Sequence, residues 1–196
     1  MRIAVRWTLM KMRNWAFLSA AVYIASLLFL SSSCQASGIL VIGDSISAQP
    51  DSWPAVIRES TGKHIMVMAQ NGRTARDFTL PADLRSDSNM DTAIYLLGAN
   101  DALQRTRPAL FAERVLTQLR FLKDRGFRVL VVLVPEFADR ESDVIKINKI
   151  LIRKANGLKL EIVDLMPVWD NRLTYDTIHP VPALSRQIAT VIKETL

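Results

Sequence analysis

Residues 38–45 read Gly-Ile-Leu-Val-Ile-Gly-Asp-Ser, an unbroken apolar run that stops abruptly at Asp44-Ser45. The run is too short for a helix and lacks the polar alternation of a half-wet strand, so it predicts a strand buried on both faces. Such a strand needs cover on both sides, and the sequence that follows supplies it. Residues 51–60 space Trp53, Val56 and Ile57 along one helical face, with Gly62 as the stop. A second strand is predicted at 64–69, ending at Asn71-Gly72, and a third at 92–97, ending at Gly98. Residues 109–125 form the clearest helix, with Leu110, Phe111, Val115, Leu119 and Leu122 near 3.6 spacing, Pro108 at the start and Gly126 at the end. A fourth strand is expected at 127–134, a helix at 142–155 stopped by Gly157, a more alternating edge strand at 158–165, and a closing helix at 182–195.

Strands alternating with helices, most of them continuously apolar, predict an α/β fold with parallel strands. Right-handed crossovers turn that into a three-layer α/β/α sandwich, and the expected sheet is five-stranded and parallel in the flavodoxin-like order 2-1-3-4-5. Ligands of such sheets bind outside the carboxyl ends of the strands. The polar pairs Asp44-Ser45, Asn71-Gly72 and Asn100-Asp101 all fall at those ends. Met66, Met68 and Met90 read as core and strand filling, His64 as a surface or boundary residue.

The chain has 196 residues, enough for one domain. Residues 1–15 carry Arg2, Arg6, Lys11 and Arg13 with no acid, residues 16–30 carry no charge, and Ser-Ser-Ser-Cys-Gln-Ala-Ser follows. That pattern predicts a signal peptide over 1–36, with an uncleaved amino-terminal anchor as the alternative, and leaves one domain over 37–196. Cys34-Gln-Ala36 offers a small-x-small cleavage site, whereas lipidation at Cys34 would need Leu one residue closer than Leu30. The expected location is therefore exported, periplasmic or secreted, with membrane contact only through the amino-terminal segment if it is uncleaved or lipidated.

The net charge of +6 also belongs largely to that segment: without its four basic residues, 21 Lys and Arg stand against 19 Asp and Glu. These are interspersed, with no basic stripe, so no nucleic-acid partner is expected. Neither a Gly-x-Gly-x-x-Gly nor a Gly-x-x-x-x-Gly-Lys-[Ser/Thr] phosphate cradle is present, which argues against nucleotide binding. With only two histidines and one cysteine, a zinc site would be hard to build. A magnesium site made of carboxylates near Asp44 and Asp101 is the remaining metal alternative, and the expectation is no metal and no cofactor.

What is left is Ser, His and Asp. A serine hydroxyl attacks an ester only if a base takes its proton, and imidazole is the usual base at neutral pH. A carboxylate holds the imidazole in the correct tautomer, and donors must meet the developing oxyanion. Ser45, Gly72, Asn100, Asp176 and His179 could supply every part.

Gly43-Asp44-Ser45-Ile46-Ser47, Gly72, Gly98-Ala99-Asn100-Asp101 and Asp176-Thr177-Ile178-His179-Pro180, in that order, resemble the SGNH (GDSL-type) hydrolases across essentially the whole exported chain. The resemblance implies Ser45 as nucleophile, His179 as base and Asp176 as its orienting partner. It implies an oxyanion hole made of the Ser45 and Gly72 backbone N–H groups and the Asn100 amide, and it implies no cofactor. Asp44 reads as structural, fixing its loop through backbone amides, and Asp101 as a brace behind Asn100. Asn71 reads as a turn residue, Arg73 as either a substrate or a loop contact, and Trp53 and Trp169 as packing residues rather than acyl-pocket walls. The implied activity is hydrolysis of carboxylic esters: small acyl or acetyl esters, thioesters, or lysophospholipids, on a small-molecule, glycan or lipid substrate. An O-acyltransferase using the same triad on a glycan, and a catalytically silent glycan-binding module, are the alternatives.

Overall fold

The computed structural model describes residues 38–86, 89–137 and 140–196. The predicted signal peptide or anchor, with Cys34 and Ala36, lies outside them.

Strand β1 (Gly38–Gly43) is buried at every position and sits inside the sheet, with β2 (Ile65–Ala69) on one side and β3 (Met90–Leu96) on the other. Leu40 stands beside both Met66 and Ala93, and Ile42 beside both Met68 and Tyr95. Strand β4 (Arg128–Val132) pairs with β3, and β5 (Glu161–Val163) pairs with β4. All pairings are parallel and the order is β2-β1-β3-β4-β5. The sheet carries helices on both faces, α2 (Trp53–Thr61) packing with α6 (Pro182–Thr195) and α4 (Pro108–Asp124) with α5 (Glu141–Leu158). Two short helices begin directly after strands, α1 (Ser45–Ala48) after β1 and α3 (Ala99–Leu103) after β3. No helix among the described residues is long and apolar enough to cross a membrane.

Several local expectations need correction. Gly157 does not stop α5, which runs on to Leu158 and is closed by Lys159 in the left-handed conformation (φ 56°). One glycine costs a helix only about 1 kcal/mol, less than Ala155 and the following turn recover by packing and by the Leu160 N–H bond to the Ala155 carbonyl (2.9 Å). The longer α5 consumes the start of the predicted fifth strand, which shrinks to the three residues of β5. Met66 is 42% exposed and is not core, because β2 is a sheet edge with cover on part of its surface only. Met90 is buried, and His64 is exposed. Trp53 is fully buried and donates to Ser47 Oγ (3.2 Å), which makes it a packing residue.

One buried polar network ties the sheet to the loop that follows β2. The Gln118 amide on α4 donates to the carbonyls of Ala75 (2.9 Å) and Phe78 (2.7 Å). Its oxygen accepts the Tyr95 hydroxyl of β3 (2.5 Å). Gln118→Leu would strand two carbonyls and a phenol in the core. We expect a loss of roughly 2–4 kcal/mol in chemical denaturation, with Tyr95→Phe recovering part of it in the double variant.

Candidate active site

The chain order places β1 and β3 side by side while the connection after β1 leaves in the opposite direction, toward β2. Loops therefore diverge above the carboxyl ends of β1 and β3 and leave a crevice. Ser45 is the first residue of α1, one residue after Asp44. Gly72 stands in the turn after β2, and Asn100 near the start of α3. Asp176 and His179 lie on the loop between β5 and α6, far away in sequence.

The fold brings these residues together. His179 Nε2 lies 2.9 Å from Ser45 Oγ, and His179 Nδ1 lies 2.6 Å from Asp176 Oδ2. The loop that carries the pair is tightly built. Asp176 Oδ1 accepts the backbone N–H groups of Ile178 (3.2 Å) and His179 (2.9 Å), the Tyr175 N–H reaches the His179 carbonyl (2.8 Å), and Thr174 bridges to Pro180. Thr177 pays for the turn with φ +73°, a conformation that a β-branched residue rarely adopts and that costs about 1–3 kcal/mol. Burial pushes the Asp176 carboxyl up, but the His179 and Ile178 hydrogen bonds outweigh that effect and leave it below its ordinary range. It is thus anionic at neutral pH and suited to hold the imidazole tautomer with its proton on Nδ1, in which Nε2 accepts from Ser45 Oγ–H.

Residues with backbone or amide donors line the same cleft. Ser45 opens a helix, so its N–H has no intrahelical acceptor. Gly72 adopts φ +74°, and no protein atom lies within 4 Å of where a Cβ would sit. Glycine here serves backbone conformation and open approach rather than close packing. The Asn100 amide donates to the Arg73 carbonyl (3.1 Å), leaving its second N–H available. Ser45, Gly72, Asn100 and His179 line one cleft of about 580 Å³, together with Gln49, Asp51, Asn71, Tyr175 and Pro180. Sequence reasoning did not single out Gln49, Asp51, Tyr175 or Pro180 as cleft residues. Tyr175, an aromatic residue directly before Asp176, was the available signal. Trp169 does not line the cleft, and its indole N–H is held by Asn171 (2.9 Å).

Two buried carboxylates support the loops. Asp101, fully buried, accepts the backbone N–H groups of Ala75 (2.7 Å) and Arg76 (3.4 Å) and so pins the segment after Gly72 to α3. Asp44 caps α1 by accepting the Ile46 N–H (3.0 Å), while its Oδ2 is buried without a partner. No group of three or more metal-binding side chains converges among the described residues.

The GDSL-like Lipase/Acylhydrolase family matches residues 41–186, three quarters of the chain. The chain belongs to that family. It is accordingly a carboxylic ester hydrolase of GDSL type. Its fold resembles that of a lipolytic G-D-S-L family protein from Veillonella parvula, at 16% identity and TM-score 0.69, covering 82% of this chain and 98% of the other. It also resembles an aryl esterase from Mycobacterium smegmatis (20% identity, TM-score 0.63, 82% and 98% coverage). An acetylxylan esterase from Geobacillus stearothermophilus is a further neighbour (16% identity, TM-score 0.66, 82% and 94% coverage). No curated protein matches the chain in sequence.

In this GDSL-type hydrolase, Asp44 should leave a signature in stability. Burial pushes its carboxyl from 3.8 up to about 7, opposed by the Ile46 hydrogen bond and the His179 charge and assisted by Asp101. Between those two pH values the folded protein holds a proton that the unfolded chain has released. Stability therefore falls as pH rises from about 4 to about 7 and levels off above. Denaturation at pH 4.5 and 7.5 should show wild type losing ground against Asp44→Asn over that interval. A difference that does not change with pH would mean that Asp44 is not the group that titrates.

Proposed function

We propose that the enzyme cleaves small acyl esters, chiefly acetyl groups on a carbohydrate, through an acyl-enzyme on Ser45. The observation that carries this reading is the continuous chain from Asp176 through His179 to Ser45, opening on a cleft with few apolar walls.

As Ser45 Oγ attacks the ester carbonyl carbon, its proton moves to His179 Nε2, and Asp176 steadies the imidazolium. The carbonyl oxygen becomes an oxyanion, met by the N–H groups of Ser45 and Gly72 and the amide of Asn100. When the tetrahedral species collapses, His179 returns the proton to the departing alcohol oxygen. Water then enters, gives its proton to His179 and attacks the acyl carbon. Collapse of this second species releases the carboxylic acid, and Ser45 regains its proton.

The acyl group is small on this reading because the cleft offers a long chain little to bury against. At roughly 25 cal/mol per Å², a fatty chain needs an apolar slot, and only Tyr175 and Pro180 present apolar bodies. The alcohol half is a carbohydrate because Gln49, Asp51 and Asn71 offer hydroxyl partners in the cleft that Tyr175, 70% exposed, also lines. An exposed aromatic face next to hydrogen-bonding side chains suits the apolar face and polar edge of a sugar ring. An acetylxylan esterase among the structural neighbours is consistent with this substrate class. The basic start and uncharged run of residues 1–30 support export to where such polymers are met.

With p-nitrophenyl esters from acetate to palmitate, we expect turnover to be greatest on acetate and to fall with chain length. Ser45→Ala should lose at least about a thousandfold in kcat. Best activity on long chains would replace the acetyl reading with a lipid one, and transfer to an added sugar outpacing hydrolysis would make the enzyme an acyltransferase. Tyr175→Ala should lower kcat/KM on an acetylated oligosaccharide about tenfold while leaving ethyl acetate, which has no ring to stack, within about twofold. Equal losses on both substrates would remove the stacking role.

A further inference from the structure

The turn that presents Gly72 has no regular secondary structure of its own, yet its N–H must stay aimed at one point. Its own backbone supplies two bonds, from the Gln70 N–H to the Gly43 carbonyl (3.4 Å) and from the Arg73 N–H to the Gln70 carbonyl (3.2 Å). The side chain of Arg73 supplies more. Its Nη1 donates to the Met68 carbonyl (2.6 Å) and its Nη2 to Gln70 Oε1 (3.1 Å). Met68 belongs to β2 and stands in register with Ile42 of β1, so the first of these bonds anchors the turn to the sheet. The guanidinium plane lies over the Phe78 ring at 4.5 Å from its centroid. On the other side, the Arg73 carbonyl accepts the Asn100 amide (3.1 Å).

We propose that Arg73 is the positioning residue of the oxyanion hole, clamping the Gly72 turn to β2 and orienting the Asn100 amide through its carbonyl. One residue thus joins two of the three donors, Gly72 and Asn100, into a single unit. The guanidinium suits this work because it is planar and presents several donors in a fixed fork, so one side chain can bridge two acceptors and still stack on a ring. Its bonds go to neutral acceptors. No carboxylate lies within ion-pair distance of it among the described residues, and burial lowers its pKa. An arginine kept half-buried without a counter-ion indicates a geometric task rather than a charge pair.

The competing assignment is direct substrate contact. Arg73 also lines a depression of about 260 Å³ with Gln70, Thr74, Asp77 and Phe78, which shares Asn71 and Gly72 with the main cleft. A substrate contact there would act on binding. A clamp acts on the transition state, because the oxyanion exists only there.

The proposal rests on the serine-esterase reading, and the experiment separates the two. Arg73→Met and Arg73→Lys are compared with wild type on p-nitrophenyl acetate and with an alkyl boronic acid. The boron atom of that probe accepts Ser45 Oγ and forms an anionic tetrahedral adduct that mimics the oxyanion. For Arg73→Met we expect kcat to fall about 10- to 100-fold with KM within about twofold, and boronate affinity to fall by a similar factor. Arg73→Lys keeps the charge but lacks the planar fork that reaches both acceptors while lying over the Phe78 ring, so it should stay within about threefold of the Met variant. Wild-type kcat in Arg73→Met, a loss confined to KM, or near-complete recovery with Lys would each overturn the clamp. An inactive wild-type enzyme would instead sink the esterase reading itself.

Discussion

Strand β1 is the element on which the rest of the structure depends, because it is buried on both faces and hydrogen-bonded along both edges. A strand in that position has one depth and one register available. Shifting it would expose Ile39, Leu40, Val41 and Ile42, all essentially inaccessible to solvent, and would break two parallel ladders at once. Ser45 follows directly from its end and so inherits the rigidity of the best-packed part of the molecule. Its neighbours in the sheet diverge at this point, and the crevice above them is a consequence of chain order rather than of any insertion.

The other side chains of the site reach that crevice on less regular supports, and polar groups buried behind them compensate. Asp101 holds the segment after Gly72 by its backbone, and Gln118 holds the carbonyls of the same loop from below. Asp44 caps the helix that begins at Ser45. Each of these groups incurs a desolvation cost that packing must offset, and two of them are carboxylates pushed upward by burial. The loop of Asp176 and His179 is built differently. It is more exposed and is held by its own short-range bonds, with Thr177 strained to let one carboxylate bind both the backbone and the ring. Strain placed beside a buried, bonded framework is tolerable because the framework leaves the loop few other conformations.

The cleft itself is short of apolar wall. Polar side chains from α1, the turn after β2 and the start of α3 converge there, and the single aromatic ring at the rim is largely in solvent. On the proposed reading, orientation in this cleft comes from hydrogen bonds and a stacking face, and little binding comes from buried hydrocarbon. On that reading, rate then depends on how firmly the donors around the oxyanion are held. For that reason the turn carrying Gly72, which has no strand or helix to stiffen it, matters out of proportion to its length.

Much of this was legible from residue order alone. Apolar runs closed by Asp44-Ser45, Asn71-Gly72 and Gly98 determined the parallel strands and their polar ends, and the α/β layering follows from how such strands must be covered. The motif blocks around Ser45, Gly72, Asn100 and Asp176–His179 named the residues that the fold brings together, because each block is local and chemically distinctive. Boundaries set by competing local terms were not legible. Helix α5 passes through Gly157 and ends on Lys159, and Met66 faces solvent on an edge strand that reads like an interior one. Nor was the company that each residue keeps. Gln118, Tyr175, Asp51 and the double attachment of Arg73 become meaningful only when segments distant in sequence meet, since a hydrogen bond between them depends on angles and separations that no periodicity encodes. Sequence by itself determined which residues meet in the cleft and at which end of the sheet they stand. Tertiary structure decided how they are aimed, what lines the cleft beside them and which buried groups hold them, because burial and direction are properties of the packed chain.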